Sequence, residues 1–311
     1  MLSNLFVKKK NRISLVISDD WVRFAEVKST SPLYIQRHGE KRLPEGTISN
    51  GKILEPATLR SFMEQCVEEW GIARQHVQFL VPNTQMIVRR VMIPADVQDD
   101  EVDSHLFMEL GTSIHLPFEH PLYDAVVAGM KDGKKEVILI AAEEKTVLDY
   151  QDLLELSSLK PVAADISPLA LYRYLHLLEL TDGNDHEMVL FFHEGSIAVS
   201  VFHRHQPVFF RNISLSGDSD VMDPIQSDEI LKEVEKVISF YRYTLHDDGT
   251  MITKLFVGGE HILSESYHTM LADRLEVPSR YIASEAKSAH TGEPVPARFL
   301  LPVGLGLKEV R

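Results

Sequence analysis

The chain carries 14 histidines and one cysteine, so metal ligation is the first chemistry to test against its residues. His203 and His205 are two apart and would share a face on a strand. No cysteine accompanies them and no carboxylate stands beside them in sequence, so a solvated hairpin turn fits them better than a zinc site. Neither HExxH nor CxxC occurs, and GxSxG and the phosphate-cradling GxxxxGK[ST] loop are absent too. Carboxylates are plentiful, yet none forms a pair marked for general acid–base work. Gly258-Gly259 follows the apolar run Leu255-Phe-Val257 and would let backbone approach a ligand closely; a tight strand-to-helix turn explains it equally well. No catalytic residue and no metal ligand is expected.

The elements that must position these residues show a pattern that occurs twice. Residues 13–39 read as strand (Ile13 to Ile17), polar turn, strand (Trp21 to Val27), loop and strand (Leu33 to Arg37). Residues 188–213 read the same way, with strands at Met188 to Phe192, Ile197 to Phe202 and Pro207 to Ile213. β-branched and aromatic runs separated by polar turns are a hairpin signal, and its recurrence suggests a duplicated domain. Between the copies, apolar spacing predicts helices over 57–70, 99–114 and 144–157, and one opened by Ser167-Pro168. The 99–114 helix rests on Val102, Leu106, Leu110 and Ile114. Strands are predicted over 77–81, 86–93, 122–129 and 136–142, so residues 84–159 form a strand-helix-strand-strand-helix unit inserted into the first half. After the second meander, Asp228 to Leu245 reads as a helix, Lys254 to Glu260 as a strand entering a glycine turn, and Ser264 to Leu275 as a helix.

Composition sets outer limits. Hydrophobic residues make up 44% and charged residues 25%, as in ordinary globular chains, and the net charge is −14. That acidic balance argues against broad nucleic-acid binding, which needs basic surface to displace counterions. No apolar run approaches the ~20 residues of a membrane-spanning helix. The start, Met1-Leu-Ser-Asn-Leu-Phe-Val-Lys-Lys-Lys-Asn-Arg12, lacks the charge order of a secretory signal and reads as a basic, apolar tail. Cys66 lies on the stripe Leu59, Phe62, Met63, Val67 and Trp70 and reads as a core residue of a protein in a reducing compartment. A cytoplasmic location is expected.

A series of short motifs follows in order: Leu43-Pro-Glu-Gly-Thr-Ile48 with Gly51-Lys-Ile53, Val81-Pro82, Val88-Arg-Arg-Val-Met-Ile-Pro94, Leu116-Pro-Phe118 with Tyr123-Asp124, Ala164-Asp-Ile166, Val208 to Ile213, Phe240-Tyr241, Val257-Gly-Gly-Glu260 and Leu305-Gly-Leu307. Together with the duplicated meander they resemble PilM, the actin-like component of type IV pilus assembly systems and a relative of the division protein FtsA. The resemblance runs over about 13–308. It implies an α/β, duplicated actin-like (RNase-H-like) fold. Subdomain 1A would take 13–83 and 160–185, the inserted subdomain 1C 84–159, and the second half 186–311, with a reduced 2B region at about 216–250. Family members bind ATP between the halves and bind a short cytoplasmic tail of the inner-membrane protein PilN.

At the nucleotide site this sequence departs from the resemblance. The family's Asp-x-Gly-Ser turn falls on Val16-Ile17-Ser18-Asp19, so its Asp and Gly are Val16 and Ser18, and Asp19 and Asp20 crowd the tip. The matching acid of the second hairpin is His193, while Gly195 and Ser196 remain; Glu194 is a candidate replacement acid. A degenerate nucleotide site at Ser18, Asp19, Gly195, Ser196, Gly258, Gly259 and Glu260 is therefore expected, with no ATP hydrolysis and ATP disfavoured as a ligand. The partner tail is expected at Met86, Arg89, Arg90, Tyr123 and Asp124, where apolar side chains stand beside basic ones. The alternatives are a genuine actin-like ATPase and an FtsA-like cytoskeletal protein at the membrane.

Overall fold

The computed structural model describes residues 12–215, 221–245 and 250–309. The tail reading of 1–12 lies outside the described residues except for Arg12, as do the parts of the 216–250 region at 216–220 and 246–249.

The chain begins with β1 (Ile13–Ile17), β2 (Trp21–Thr30) and β3 (Leu33–Arg42), a small hairpin of β4 (Ile48–Ser49) and β5 (Lys52–Ile53), helix α1 (Pro56–Glu69) and β6 (His76–Leu80). Next come β7 (Met86–Pro94), α2 (Val102–Glu109), β8 (Pro121–Lys131), β9 (Lys134–Glu143) and α3 (Glu144–Leu156). Strand β10 (Lys160–Asp165) and helix α4 (Ser167–Leu177) lead into the second half. That half holds β11 (Glu187–His193), β12 (Ser196–His203), β13 (Gln206–Ser214), α5 (Pro224–Phe240), β14 (Lys254–Gly259), α6 (Ser264–Arg274) and β15 (Ser279–Tyr281). Strand β16 (Lys287–Ser288) and helix α7 (Leu300–Gly306) follow.

The two large sheets have the same topology. In the first, the order β3-β2-β1-β6-β10 is an antiparallel meander whose first strand pairs in parallel with β6, and β6 with β10. In the second, β13-β12-β11-β14-β15 repeats each of those pairings. β16 adds a sixth strand to the first sheet, parallel to β3. Parallel strands buried on both faces need near-continuous apolar runs, and Met188 to Phe192 and Leu255 to Val257 are all buried.

Three cores hold these sheets. Leu15, Phe24 and Phe79 of the first sheet pack with α1 and α3, and Cys66 sits among them fully buried, its thiol pushed up to about 12 by burial. Leu190, Val199 and Val257 of the second sheet pack with α5 and α6. The third core joins the halves: Ala25 and Ile35 meet Val189, Phe191 and Phe256 around α4 and α7. At Gly304 a Cβ would lie 2.1 Å from the Ala170 carbonyl oxygen, so only glycine lets α7 cross α4 this closely.

Three elements differ from the sequence expectations. The predicted 99–114 helix stops at Glu109, because Gly111 takes a φ of +81° and Thr112 Oγ1 turns back onto the Glu109 carbonyl at 2.9 Å. Leu110 and Ile114 leave the helix, bridge to one another and still face the insert's core with Val102 and Leu106. The predicted 228–245 helix begins at Pro224, with the Asp223 carboxylate accepting from the backbone N–H groups of Ile225 and Gln226, and relaxes into a π turn at Tyr241–Leu245. Helix α3, read with the insert, places Tyr150, Leu153 and Leu154 in the first sheet's core, so the insert's own core is built on β7, β8, β9 and α2.

Candidate functional site

The β1–β2 and β11–β12 turns face each other across a cleft of about 280 Å³ between the halves. The cleft falls there because each turn leaves the same end of an equivalent sheet. Asn50, Asn83 and Ser167 line it from the first half; Asn212, Ser214 and Glu260 line it from the second. The turns touch directly: Trp21 Nε1 donates to Glu194 Oε1 at 2.9 Å.

A chain of polar groups, with Arg23 buried at its centre, crosses the cleft beneath them. Arg23 in β2 is 3% exposed and bonds to Glu260 Oε2, while its Nε donates to Glu40 Oε2 at 3.1 Å. Arg298 Nε meets the other Glu40 oxygen at 2.6 Å. On the far side, His193 Nδ1 lies 2.8 Å from Glu260 Oε1, and His193 Nε2 lies 3.1 Å from Asn83 Nδ2. Ser167 Oγ donates to Asn83 Oδ1 at 2.6 Å, which fixes the amide with its NH2 toward the imidazole. Nε2 therefore accepts, and the ring proton sits on Nδ1, directed at Glu260. Burial alone would raise the Glu260 pKa. The hydrogen bonds from His193 and Arg23 and the neighbouring Arg23 charge outweigh burial and hold it below its ordinary value.

The charge lining the cleft is one-sided. Among the described residues Asp19, Asp20, Glu194 and Glu260 line it, and no lysine or arginine does. Arg23, just behind the wall, is already shared by two carboxylates.

The predicted nucleotide-site residues divide into two groups. Ser18, Asp19, Gly195, Ser196 and Glu260 line the cleft. Ser18 Oγ accepts from the Trp21 N–H at 3.0 Å and closes its own turn. Asp19 accepts from the N–H groups of Asn50 at 2.6 Å and Gly51 at 2.9 Å, so its carboxylate ties the β1–β2 turn to the β4–β5 turn. Gly258 and Gly259 are not among the lining residues. A Cβ on Gly259 would sit 2.3 Å from the Phe192 carbonyl oxygen, and one on Gly258 would sit 2.8 Å from Ile282 Cβ. Their glycine character serves strand packing. Arg23, Asn83 and Ser167 escaped the sequence reading, although a charge between apolar Val22 and Phe24 in a strand is a visible signal for Arg23.

The five predicted tail-binding residues lie on the three-stranded sheet β7-β9-β8, and they split between its faces. Arg89 and Tyr123 share the α2 face: Arg89 pairs across from Leu139, Arg89 Nη1 donates to the His115 carbonyl, and Tyr123 Oη donates to the Asp103 carbonyl at 3.1 Å. Met86, Arg90 and Asp124 share the other face. There Met86 is buried in the first core, Arg90 pairs with Glu136 at 3.1 Å and Asp124 is exposed. Exposed Met92, Leu122 and Val126 stand on this same face.

His203 and His205 also have partners that sequence distance hid. Pairing of β11 with β12 brings Glu187 opposite Phe202, and Tyr172 Oη lies 2.8 Å from Glu187 Oε2 and 3.0 Å from His205 Nδ1. His203 stacks on His186, with ring centroids 3.9 Å apart. Carboxylates thus do stand near this turn, contrary to the reading from sequence neighbours.

Comparison with known proteins gives a consistent picture. No curated protein sequence matches the chain. The structure of a PilM–PilN type IV pilus biogenesis complex superposes with a TM-score of 0.80 at 18% identity, covering 96% of this chain and 98% of that one. A Bacteroides thetaiotaomicron protein with an actin-like ATPase fold and unknown function superposes at 0.50 with 13% identity, covering 96% of each chain. The cytoplasmic domain of EpsL, an inner-membrane component of the Vibrio cholerae type II secretion system, does so at 0.51 with 10% identity, covering 97% of this chain and 96% of that one. The fold is actin-like. The family model for the type IV pilus assembly protein PilM matches residues 15–227, about two thirds of the sequence, and the chain belongs to that family.

Proposed function

We propose that this protein is a cytoplasmic scaffold of a type IV pilus or competence-pilus assembly complex. It docks the cytoplasmic tail of a PilN-like inner-membrane protein, and its interhalf cleft is a degenerate nucleotide site. The observation that carries the degenerate-site reading is the cleft lining of four carboxylates with no lysine or arginine among the described residues, in a family where the cleft would receive a triphosphate. Anion binding needs donors and positive charge aimed at the phosphates. Here the nearest guanidinium is committed to Glu40 and Glu260, and the side chain at the second turn is a histidine bound to Glu260. Val16 and Ser18 add neither a metal-organising acid nor a glycine nest.

The likeness to the PilM–PilN complex over nearly all of both chains supports the tail-docking part. Met92, Leu122 and Val126, exposed beside Arg90 and Asp124 on one face of the inserted sheet, offer apolar contacts with charge at the rim. Isothermal titration with Mg-ATP should give no saturable heat in the micromolar range; micromolar affinity, or turnover above background, would sink the degenerate-site reading. Pull-down with a PilN-like tail peptide should succeed, and Arg90→Glu should weaken capture at least several-fold. Equal capture by wild type and variant would move the tail elsewhere.

A further inference from the structure

At the end of β11 opposite the cleft lies a second concentration of carboxylates. Glu187 and His193 are the first and last residues of this strand, so about 20 Å separates the two places. Asp182, Asp185 and Glu187 each bring one carboxylate oxygen to within 4.8 Å of the others. They lie where the chain crosses from α4 to β11, between the two halves.

Glu187 is fully buried, and only one of its oxygens is satisfied. Oε2 accepts from Tyr172 Oη at 2.8 Å, while Oε1 has no hydrogen-bond partner among the described residues. An ionised carboxylate left half-satisfied in the interior is costly. Protonation does not remove the difficulty. A proton on Oε1 would lack an acceptor, and a proton on Oε2 would leave Oε1 an unmet carbonyl oxygen.

The nearest cation does not resolve it either. Lys254 Nζ donates to the Leu180 carbonyl at 2.7 Å and stays 4.0 Å from Asp185 Oδ2. Three carboxyl groups thus face one ammonium that is already bonded to a backbone carbonyl. Asp182 Oδ1 accepts from the backbone N–H groups of Asn184 at 2.9 Å and Asp185 at 3.4 Å, which orients its carboxylate. Asp185 accepts from Thr253 Oγ1 at 3.0 Å, which orients it.

We propose that Asp182, Asp185 and Glu187 form a binding site for a hard divalent cation of the calcium class, bracing the crossover between the halves. The donor set is all oxygen, which suits calcium, magnesium or manganese over zinc or copper. Two loop carboxylates beside one strand carboxylate make an irregular donor set, which favours calcium, since it tolerates irregular coordination better than magnesium.

The test uses the full chain stripped with chelator. Terbium chloride should give about one equivalent of emission sensitised through tyrosine, Tyr172 being in contact with Glu187, and calcium chloride should displace it. Calcium should also raise the thermal unfolding midpoint. The double variant Asp182→Asn/Asp185→Asn should lose affinity by ~10-fold or more while keeping the metal-free midpoint. Identical terbium and calcium responses in wild type and double variant would overturn the site, as would a wild-type midpoint that calcium does not move. Glu187→Gln gives an independent reading. Lost calcium stabilisation supports the cation site; a higher metal-free midpoint, with no calcium response in either protein, means that Glu187 is only a strained buried acid.

Discussion

The two halves share one strand topology but use the turns at equivalent positions in opposite ways. In the β1–β2 turn the acid at the tip is engaged within its own half: Asp19 accepts from two N–H groups of the β4–β5 turn. In the β11–β12 turn His193 looks inward and binds Glu260. One turn stabilises its own half and the other closes an ion-paired bridge to its neighbour. The comparison teaches that equivalent turns of a duplicated scaffold can be put to different structural uses, one local and one that holds the halves together.

Removing the guanidinium should break this comparison most severely. Arg23→Met leaves Glu260 buried beside a histidine alone and should cost about 3–5 kcal/mol in denaturant unfolding. A loss below about 1 kcal/mol would mean that the bridge opens and hydrates in solution.

A smaller effect should appear with pH. The Glu260 pKa is lowered in the folded protein from its ordinary 4.5, so the unfolded chain binds the proton more readily. Its stabilisation is complete above that value and is lost as pH falls through the lower folded pKa. Thermal midpoints should therefore drop more steeply with acid in the wild type than in Glu260→Gln, which starts less stable. Parallel curves would show that Glu260 does not link protons to folding.

The smallest effect is expected at the tip. Trp21→Phe removes the contact to Glu194 while keeping an aromatic ring near Arg23, now 5.0 Å from the Trp21 ring, and should cost about 0.5–1.5 kcal/mol. If it matched the Arg23→Met loss, the turn tips and not the buried bridge would hold the halves together.

Much of the scaffold was legible in the sequence, because alternating β-branched residues and polar turns are local signals. The meanders at 13–39 and 188–213 lie where the pattern put them, and Cys66 is in the core its stripe implied. Boundaries were less legible. Asp223-Pro224 is a capping signal outweighed by the apolar stripe that begins later, and Leu110 and Ile114 hold helical spacing across a glycine turn. The site was least legible, because its bonds are long-range: Arg23 and Glu260 are 237 residues apart in sequence. Gly258-Gly259 signalled close approach correctly, but what approaches is β11 and Ile282.

The pairing of β16 with β3 and the seating of α7 against α4 at Gly304 have a bearing on synthesis. Both elements belong to the first half by contact and come after the second half in chain order. On the ribosome the second sheet emerges whole, while the first waits for residues 287–306 to cover its edge and shared face. Folding that otherwise proceeds from the N-terminus must here end where it began, with the last helix completing the first-made sheet.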